Sequence, residues 1–125
     1  MASRTFNNKS LTIRVDDTGE KFEVHWSGKS TARNPSKFIG PILKATIEAA
    51  AQQERTVVLD FTRIEYMNSS TVTPVIRVLD DAKRRGIVVD VVYAADLKWQ
   101  ELSFSALKVF CGEGSTISIL AGATS

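Results

Sequence analysis

A run of small polar side chains, Asn68-Ser69-Ser70-Thr71, is the part of the sequence best suited to chemistry. All four residues are types favoured at helix N-caps, yet one or two suffice to satisfy the free N–H groups of a first turn. The remaining hydroxyls would lie beside backbone donors and the positive end of a helix dipole. Such a place accepts an anion, including a phosphoryl group, at low cost. A doubly capped helix without a function explains the run equally well.

Pro74 narrows the geometry of this run. Its missing N–H costs least near a helix start, which predicts Ser70 or Thr71 as the cap and Pro74 as the third or fourth helical residue. Asn68 and Ser69 would then precede the helix in a turn. We therefore expect the Ser69 hydroxyl to be accessible.

No other segment has a recognisable catalytic or metal-binding pattern. His25 is the only histidine, and its alternation with Val24 and Trp26 predicts a solvent-facing strand residue. Asp80 and Asp81 would point about 100° apart on a helix, so they are expected to be solvated. The chain has neither a nucleophile elbow nor a glycine-rich phosphate loop. We expect no enzyme activity, no catalytic residue, no metal and no cofactor.

Length and composition predict one globular domain. The 125 residues, 43% hydrophobic and 24% charged, fit a single domain over 1–125, with a flexible N-terminal tail at 1–9. A single cysteine, Cys111, excludes an internal disulfide and favours a cytoplasmic location. The net charge of +2 and the absence of a long apolar run predict neither nucleic-acid nor membrane partners. Lys83-Arg84-Arg85 before Gly86 is typical of a helix end.

Strands and helices alternate around the polar run. Alternating residues at 11–15 and 21–26 predict a hairpin with one buried face, followed by a polar loop over 28–34. Apolar runs at 57–61 and 87–93 predict buried parallel strands, and the first ends near Asp60. Helical spacing of apolar residues over 72–82 outweighs their β-branching and predicts a helix between them.

The order β-β-α-β-α-β-α-β indicates an α/β fold. It implies a mostly parallel mixed sheet with an N-terminal hairpin and helices packed as cover, joined by right-handed crossovers. The polar run then lies where a strand passes into a helix.

Residues 57–110 resemble the STAS domain of bacterial anti-sigma factor antagonists. That family has an apolar strand ending in Asp, and then an apolar-Asp-Ser-Ser/Thr-Gly segment that opens a helix. The corresponding residues here are Val57-Val58-Leu59-Asp60 and Met67-Asn68-Ser69-Ser70-Thr71. Asn68 stands where Asp is usual, and Thr71 where Gly is usual. Similar Asn-Ser/Thr-Ser versions form a divergent branch that answers to a switch kinase and controls other targets, including cyclic-nucleotide signalling enzymes.

The resemblance implies a non-enzymatic, phosphorylation-controlled partner-switching protein of bacterial signal transduction and transcription regulation. An anti-sigma-type or switch protein kinase would phosphorylate Ser69, with Ser70 as the second candidate, and a PP2C-type phosphatase would reverse the mark. Unmodified Ser69 permits binding of the kinase or regulatory partner, and phosphorylation releases it. Asp60 is expected to support the switch structurally. The expected partner-binding residues are Asn68, Ser70, Thr71, Val72, Arg33 and Asn34.

Two alternatives stay open at this point. A constitutive STAS scaffold that is never phosphorylated would explain the departures at Asn68 and Thr71. An enzyme or small-ligand binder would use the crevice at the strand ends, a common site in open α/β sheets.

Overall fold

The described residues, 2–112 and 114–122 of a computed structural model, form one six-stranded sheet whose strands lie in sequence order. The first three strands pair antiparallel, whereas the third to the sixth pair parallel. The predicted mixed, mostly parallel sheet is therefore confirmed. Its strands are β1 (Ala2–Asn8), β2 (Leu11–Asp17), β3 (Lys21–Ser30), β4 (Thr56–Met67), β5 (Val89–Ala94) and β6 (Ile117–Gly122).

Helices connect the parallel strands. These are α1 (Ser36–Gln53), α2 (Ser69–Arg85) and α3 (Lys98–Ser105), the last continued by a 3-10 turn over Ala106–Phe110. Each joins neighbouring strands, so right-handed crossovers bring all of them to one face of the sheet. The other face stays open to solvent. In the described part of the chain, no helix is long and apolar enough to cross a membrane.

The core lies between the helices and one face of the sheet. Phe22, Val24 and Trp26 of β3 are buried on that face, as the hairpin pattern predicts. Trp26 packs on Phe61 of β4 with ring centroids 4.6 Å apart, and Phe61 packs on Phe104 of α3 at 4.8 Å. Aromatic packing thus joins the hairpin, the central strand and the last helix.

The helix expected after β4 is confirmed in spite of its β-branched residues. Val75, Val78, Leu79 and Ala82 form its buried stripe. Three cations occupy the last turn, and Gly86 follows in the left-handed conformation with φ 70°. The basic run therefore ends a helix, as predicted. Its cations complement the negative end of the helix dipole.

Three segment boundaries differ from the sequence prediction. Ala2–Asn8 forms edge strand β1 rather than a flexible tail over 1–9, because it pairs along its length with β2. β3 continues through residue 30, into the expected loop over 28–34. β4 runs on to Met67, so Asp60 lies within the strand and does not end it. Pairing between β3 and β4 beyond residue 60, with two register shifts, explains the longer strands.

Candidate phosphoacceptor site at the start of α2

Asn68 is the residue that caps α2. Its backbone is extended, with φ −73° and ψ 167°, and its Oδ1 accepts hydrogen bonds from the Thr71 N–H at 3.1 Å and the Thr71 hydroxyl at 2.7 Å. The predicted cap at Ser70 or Thr71 is wrong. Asparagine is among the best N-cap residues, and its carbonyl oxygen serves as well as the carboxylate that is usual in the STAS motif.

Pro74 is the sixth helical residue counted from Ser69, not the third or fourth. At that position its missing N–H leaves the Ser70 carbonyl without its usual intrahelical donor. The buried face of α2 includes Pro74, so packing on the core outweighs this local cost. Considering only the local cost of Pro74 therefore placed the predicted helix start two or three residues too late.

Thr71 is completely buried, which removes it from the expected partner-binding residues. Its hydroxyl donates to Asn68, so it must accept the proton of the buried Ser30 hydroxyl, 2.6 Å away. The Asn68 N–H also donates to the Ser30 carbonyl at 3.0 Å. These contacts attach the start of α2 to the end of β3. A glycine at position 71 would lack the hydroxyl that contacts Ser30 and Asn68, and of these bonds to β3 only the backbone bond from Asn68 to Ser30 would remain.

The side-chain amide of Asn68 holds the preceding loop. Its Nδ2 donates to the Ala32 carbonyl at 2.9 Å, a bond that an ionised aspartate could not donate. Arg33 and Asn34 follow Ala32 and are exposed. Both departures from the usual motif thus have structural roles: Asn68 orders the loop, and Thr71 fastens the helix.

Ser69 and Ser70 occupy the first two helical positions and are exposed. Neither hydroxyl makes a hydrogen bond to any residue that the structure describes. Their backbone N–H groups have no intrahelical acceptor, and the first turn carries no acidic side chain. An added anion would meet free donors and the positive end of the helix dipole.

Apolar side chains adjoin these hydroxyls along the chain. Val72 is half-buried, Ile76 one turn later is 39% exposed, and Tyr66 before the cap is 49% exposed. The partner-binding residues expected from the sequence include Val72 but neither Tyr66 nor Ile76. Large apolar residues that stay exposed beside polar groups are typical of a protein-binding surface.

Gln100 is a further residue whose role the sequence did not reveal. This buried side chain of α3 donates from Nε2 to the carbonyls of Phe61 at 2.9 Å and Ile64 at 3.0 Å. Its Oε1 accepts from the Ala94 N–H at 2.8 Å. Phe61 lies where β4 carries an extra residue relative to β3. Gln100 therefore satisfies carbonyls in the irregular part of β4 that leads to Asn68.

Asp60 lies on the open face of the sheet, and its hydrogen-bond partners are Thr62 and His25 rather than residues of the α2 start. Its Oδ1 accepts from the Thr62 N–H at 2.9 Å and the Thr62 hydroxyl at 2.6 Å, and its Oδ2 lies 3.1 Å from His25 Nδ1. Burial acts to raise the pKa of Asp60, but these hydrogen bonds and the neighbouring His25 hold it below its usual value. His25 does lie on the open face, although its side chain is only 27% exposed.

Comparison with known proteins identifies the fold. No family model and no curated protein matches the sequence. SiaC of Pseudomonas aeruginosa superposes with a TM-score of 0.70 at 20% identity, covering 98% of this chain and 100% of that chain. A chain in the crystal structure of the diguanylate cyclase SiaD in complex with its activator SiaC, from the same organism, gives 0.67 at 17% identity, covering 95% and 99%. An anti-sigma factor antagonist from Mycobacterium paratuberculosis gives 0.57 at 16% identity, covering 90% and 88%.

The chain is thus a single α/β domain with a STAS-like fold. This confirms the fold that the motif order and the resemblance predicted. Among the proteins that share this fold are SiaC, the activator in a complex with the diguanylate cyclase SiaD, and an anti-sigma factor antagonist.

Proposed function

We propose that this protein is a non-enzymatic partner switch of the bacterial cytoplasm, controlled by phosphorylation of Ser69. The observation that carries the proposal is the contrast within one helix start. Asn68 and Thr71 are locked by hydrogen bonds, whereas the neighbouring Ser69 and Ser70 hydroxyls are exposed and have no hydrogen-bond partner among residues 2–112 and 114–122. A rigid frame around a free hydroxyl presents that hydroxyl to another protein in one orientation.

The partner-binding surface comprises the α2 start and the loop attached to it. In the unmodified protein, exposed polar and apolar side chains there contact the kinase or the regulated partner. Phosphorylation adds about −1.5 to −2 charges at neutral pH, and these charges oppose the interface by repulsion and desolvation. The proposed surface consists of Arg33, Asn34, Asn68, Ser69, Ser70 and Val72.

The proposed partners are a kinase of the anti-sigma or switch type, a PP2C-type phosphatase and one regulated protein. SiaC, which shares this fold, is the activator in a complex with the diguanylate cyclase SiaD. That likeness favours a nucleotide-cyclising enzyme over a sigma-factor pathway as the regulated target. Cys111, a free and half-buried thiol, is compatible with a reducing compartment.

Mass spectrometry after incubation with ATP, Mg²⁺ and a purified kinase of the anti-sigma or switch type tests the site. We expect one phosphate on Ser69, lost in Ser69→Ala and retained in Ser70→Ala, which is the matched control on the same turn. Phosphate confined to Ser103 or Ser105, or none with a kinase active on another substrate, would contradict the proposal.

A constitutive scaffold is the second candidate, and it predicts different binding data. The switch predicts that phosphorylated protein and Ser69→Asp bind the partner at least tenfold more weakly than Ser69→Ala, a loss of about 1.4 kcal/mol or more. The scaffold predicts equal affinities for all three. Isothermal titration calorimetry with the purified partner distinguishes the two functions.

A further inference from the structure

Three side chains from two strands converge on the open face of the sheet, away from the helices. His25 Nε2 lies 3.1 Å from Glu23 Oε1 and 3.5 Å from Asp16 Oδ2. The three ligand atoms all lie within 4.8 Å of one another. Asp16 and Glu23 are directly paired across β2 and β3, and His25 lies two residues along β3 on the same face. One nitrogen and two carboxylate oxygens thus face a common point.

The distances from His25 Nε2 to the carboxylate oxygens of Glu23 and Asp16 suit a small divalent cation. Tetrahedral zinc with bonds of about 2.1 Å to nitrogen and oxygen keeps its ligand atoms about 3.4 Å apart. The two distances from Nε2 bracket that value. Solvent can supply the fourth ligand, because all three side chains are only half-buried. Imidazole with carboxylates selects Zn²⁺ and its transition-metal neighbours over Mg²⁺ and Ca²⁺, which prefer oxygen alone.

The other imidazole nitrogen is held as it is in known metal sites. Nδ1 lies 3.1 Å from Asp60 Oδ2, and Thr62 fixes Asp60 through two hydrogen bonds. A histidine that donates from Nδ1 to a carboxylate directs the lone pair of Nε2 at the metal. Here that lone pair would face two carboxylate oxygens, which also only accept. A metal cation between them resolves this conflict, as would a proton on Nε2, and the zinc titration below distinguishes the two.

The charge balance also favours a cation. Like charges directly opposite each other on a sheet are destabilising, and Asp16 and Glu23 are such a pair. Arg14 is the only arginine or lysine in the described residues that is ion-paired with this group, through Nε at 3.1 Å from Asp16 Oδ2. Its side chain is 51% exposed, so it offsets one carboxylate and stays free to move. Ser3 donates to the other oxygen of Asp16 at 2.7 Å and orients it.

We propose that Asp16, Glu23 and His25 bind one divalent transition-metal ion of the Zn²⁺ class, with Asp60 as the positioning residue. The site is separate from the α2 start, and its ligands belong to both strands of the β2–β3 hairpin. A bound ion therefore cross-links the hairpin and stabilises the folded state by mass action.

Zinc titration of tag-free protein tests the proposal, with affinity measured by competition against a chromogenic chelator. We expect one Zn²⁺ per chain. His25→Gln and Glu23→Gln should each weaken binding at least tenfold, and Asp60→Asn should weaken it about tenfold, as removal of a supporting carboxylate does elsewhere. Zn²⁺ should raise the melting temperature of the unmodified chain but not that of His25→Gln.

Two control variants each remove a possible metal ligand that lies outside the proposed site. Glu48→Gln removes an exposed carboxylate of α1, and Cys111→Ser removes the only thiol. Both should bind Zn²⁺ as tightly as the unmodified chain. Circular dichroism of metal-free variants separates loss of the site from loss of the fold, and Glu23→Gln serves if His25→Gln does not fold. Zn²⁺ affinity weaker than about 1 mM, or affinity unchanged in Glu23→Gln and Asp60→Asn, overturns the proposal.

Discussion

The α2 start and the His25 cluster are both polar, but their hydrogen bonds are arranged in opposite ways. At the α2 start, Asn68 and Thr71 are bonded inward, and two serine hydroxyls are left free. In the cluster of Asp16, Glu23, His25 and Asp60, each side chain lies against another charged or titratable group. Exposed hydroxyls on a hydrogen-bonded helix start suit recognition by a second protein. Hydrogen-bond acceptors that converge on one point suit the binding of an ion.

β4 connects these two regions. The prediction with the largest expected effect therefore concerns Gln100, whose side chain is bonded to two carbonyls of β4. Gln100→Leu keeps the side chain's approximate size but leaves the Phe61 and Ile64 carbonyls and the Ala94 N–H without their partner. Each unsatisfied buried group costs about 1–3 kcal/mol, so we expect a loss of about 3 kcal/mol or more in the free energy of unfolding. Urea denaturation measures it. Gln52→Leu on the exposed side of α1 is the control and should change stability by less than about 0.5 kcal/mol.

The next prediction tests the frame at the α2 start. Thr71→Val keeps the shape of the side chain but leaves the buried Ser30 hydroxyl and the Asn68 oxygen short of a partner. We expect a loss of about 2 kcal/mol in urea denaturation. Thr73→Val, an exposed threonine two residues along the helix, is the matched control because its helix propensity changes equally. Equal losses of unfolding free energy in both variants would mean that the hydrogen bonds of the Thr71 hydroxyl do not stabilise the α2 start.

Asn68 variants separate the capping bond from the loop bond. Asn68→Ala removes both and should cost about 1–2 kcal/mol, because a cap alone is worth about 1 kcal/mol. Asn68→Asp keeps an oxygen for the Thr71 N–H and gains charge at the helix N-terminus, while losing the bond to Ala32. We expect it to lie within about 0.5 kcal/mol of the unmodified chain. Thermal unfolding measures both, and a loss in Asn68→Asp as large as in Asn68→Ala would assign the stability to the loop.

The smallest predicted effect lies in the cluster and depends on pH. The pKa of Asp60 is lowered in the folded state, so its carboxylate stabilises the fold fully above the ordinary value of 3.8 and loses that contribution as the pH falls further. In metal-free protein, Asp60→Asn should cost about 1 kcal/mol or less at pH 7, and this difference should shrink as the pH falls below the ordinary pKa of 3.8. Urea denaturation between about pH 2.5 and about pH 7 measures this difference across the range in which carboxylates titrate. A pH-independent difference would show that the charge of Asp60 is not involved.

The contiguous parts of the molecule could be predicted from residue order. The periods of the apolar residues indicated the hairpin, the central strands and α2, and the basic run with Gly86 indicated where α2 ends. The polar run was recognisable for the same reason: its members are adjacent in the chain, so their shared location needs no knowledge of packing. The exposure of Ser69 also followed from this local reasoning.

The parts that depend on long-range contacts could not be predicted. Asn68 became the cap, and Thr71 became buried, because β3 extends to Ser30 and presents acceptors and a hydroxyl to α2. Strand register alone brings Asp16 opposite Glu23, and His25 beside Asp60.

The sequence by itself determined the helices, the strands other than β1 and the hydroxyls that lie at a helix start, because propensity, capping and periodicity act over a few neighbouring residues. Only the tertiary structure decided which of those polar groups are locked and which are free. That choice depends on partners 35 to 41 residues away along the chain, such as Asp60 for His25 and Thr71 for Ser30.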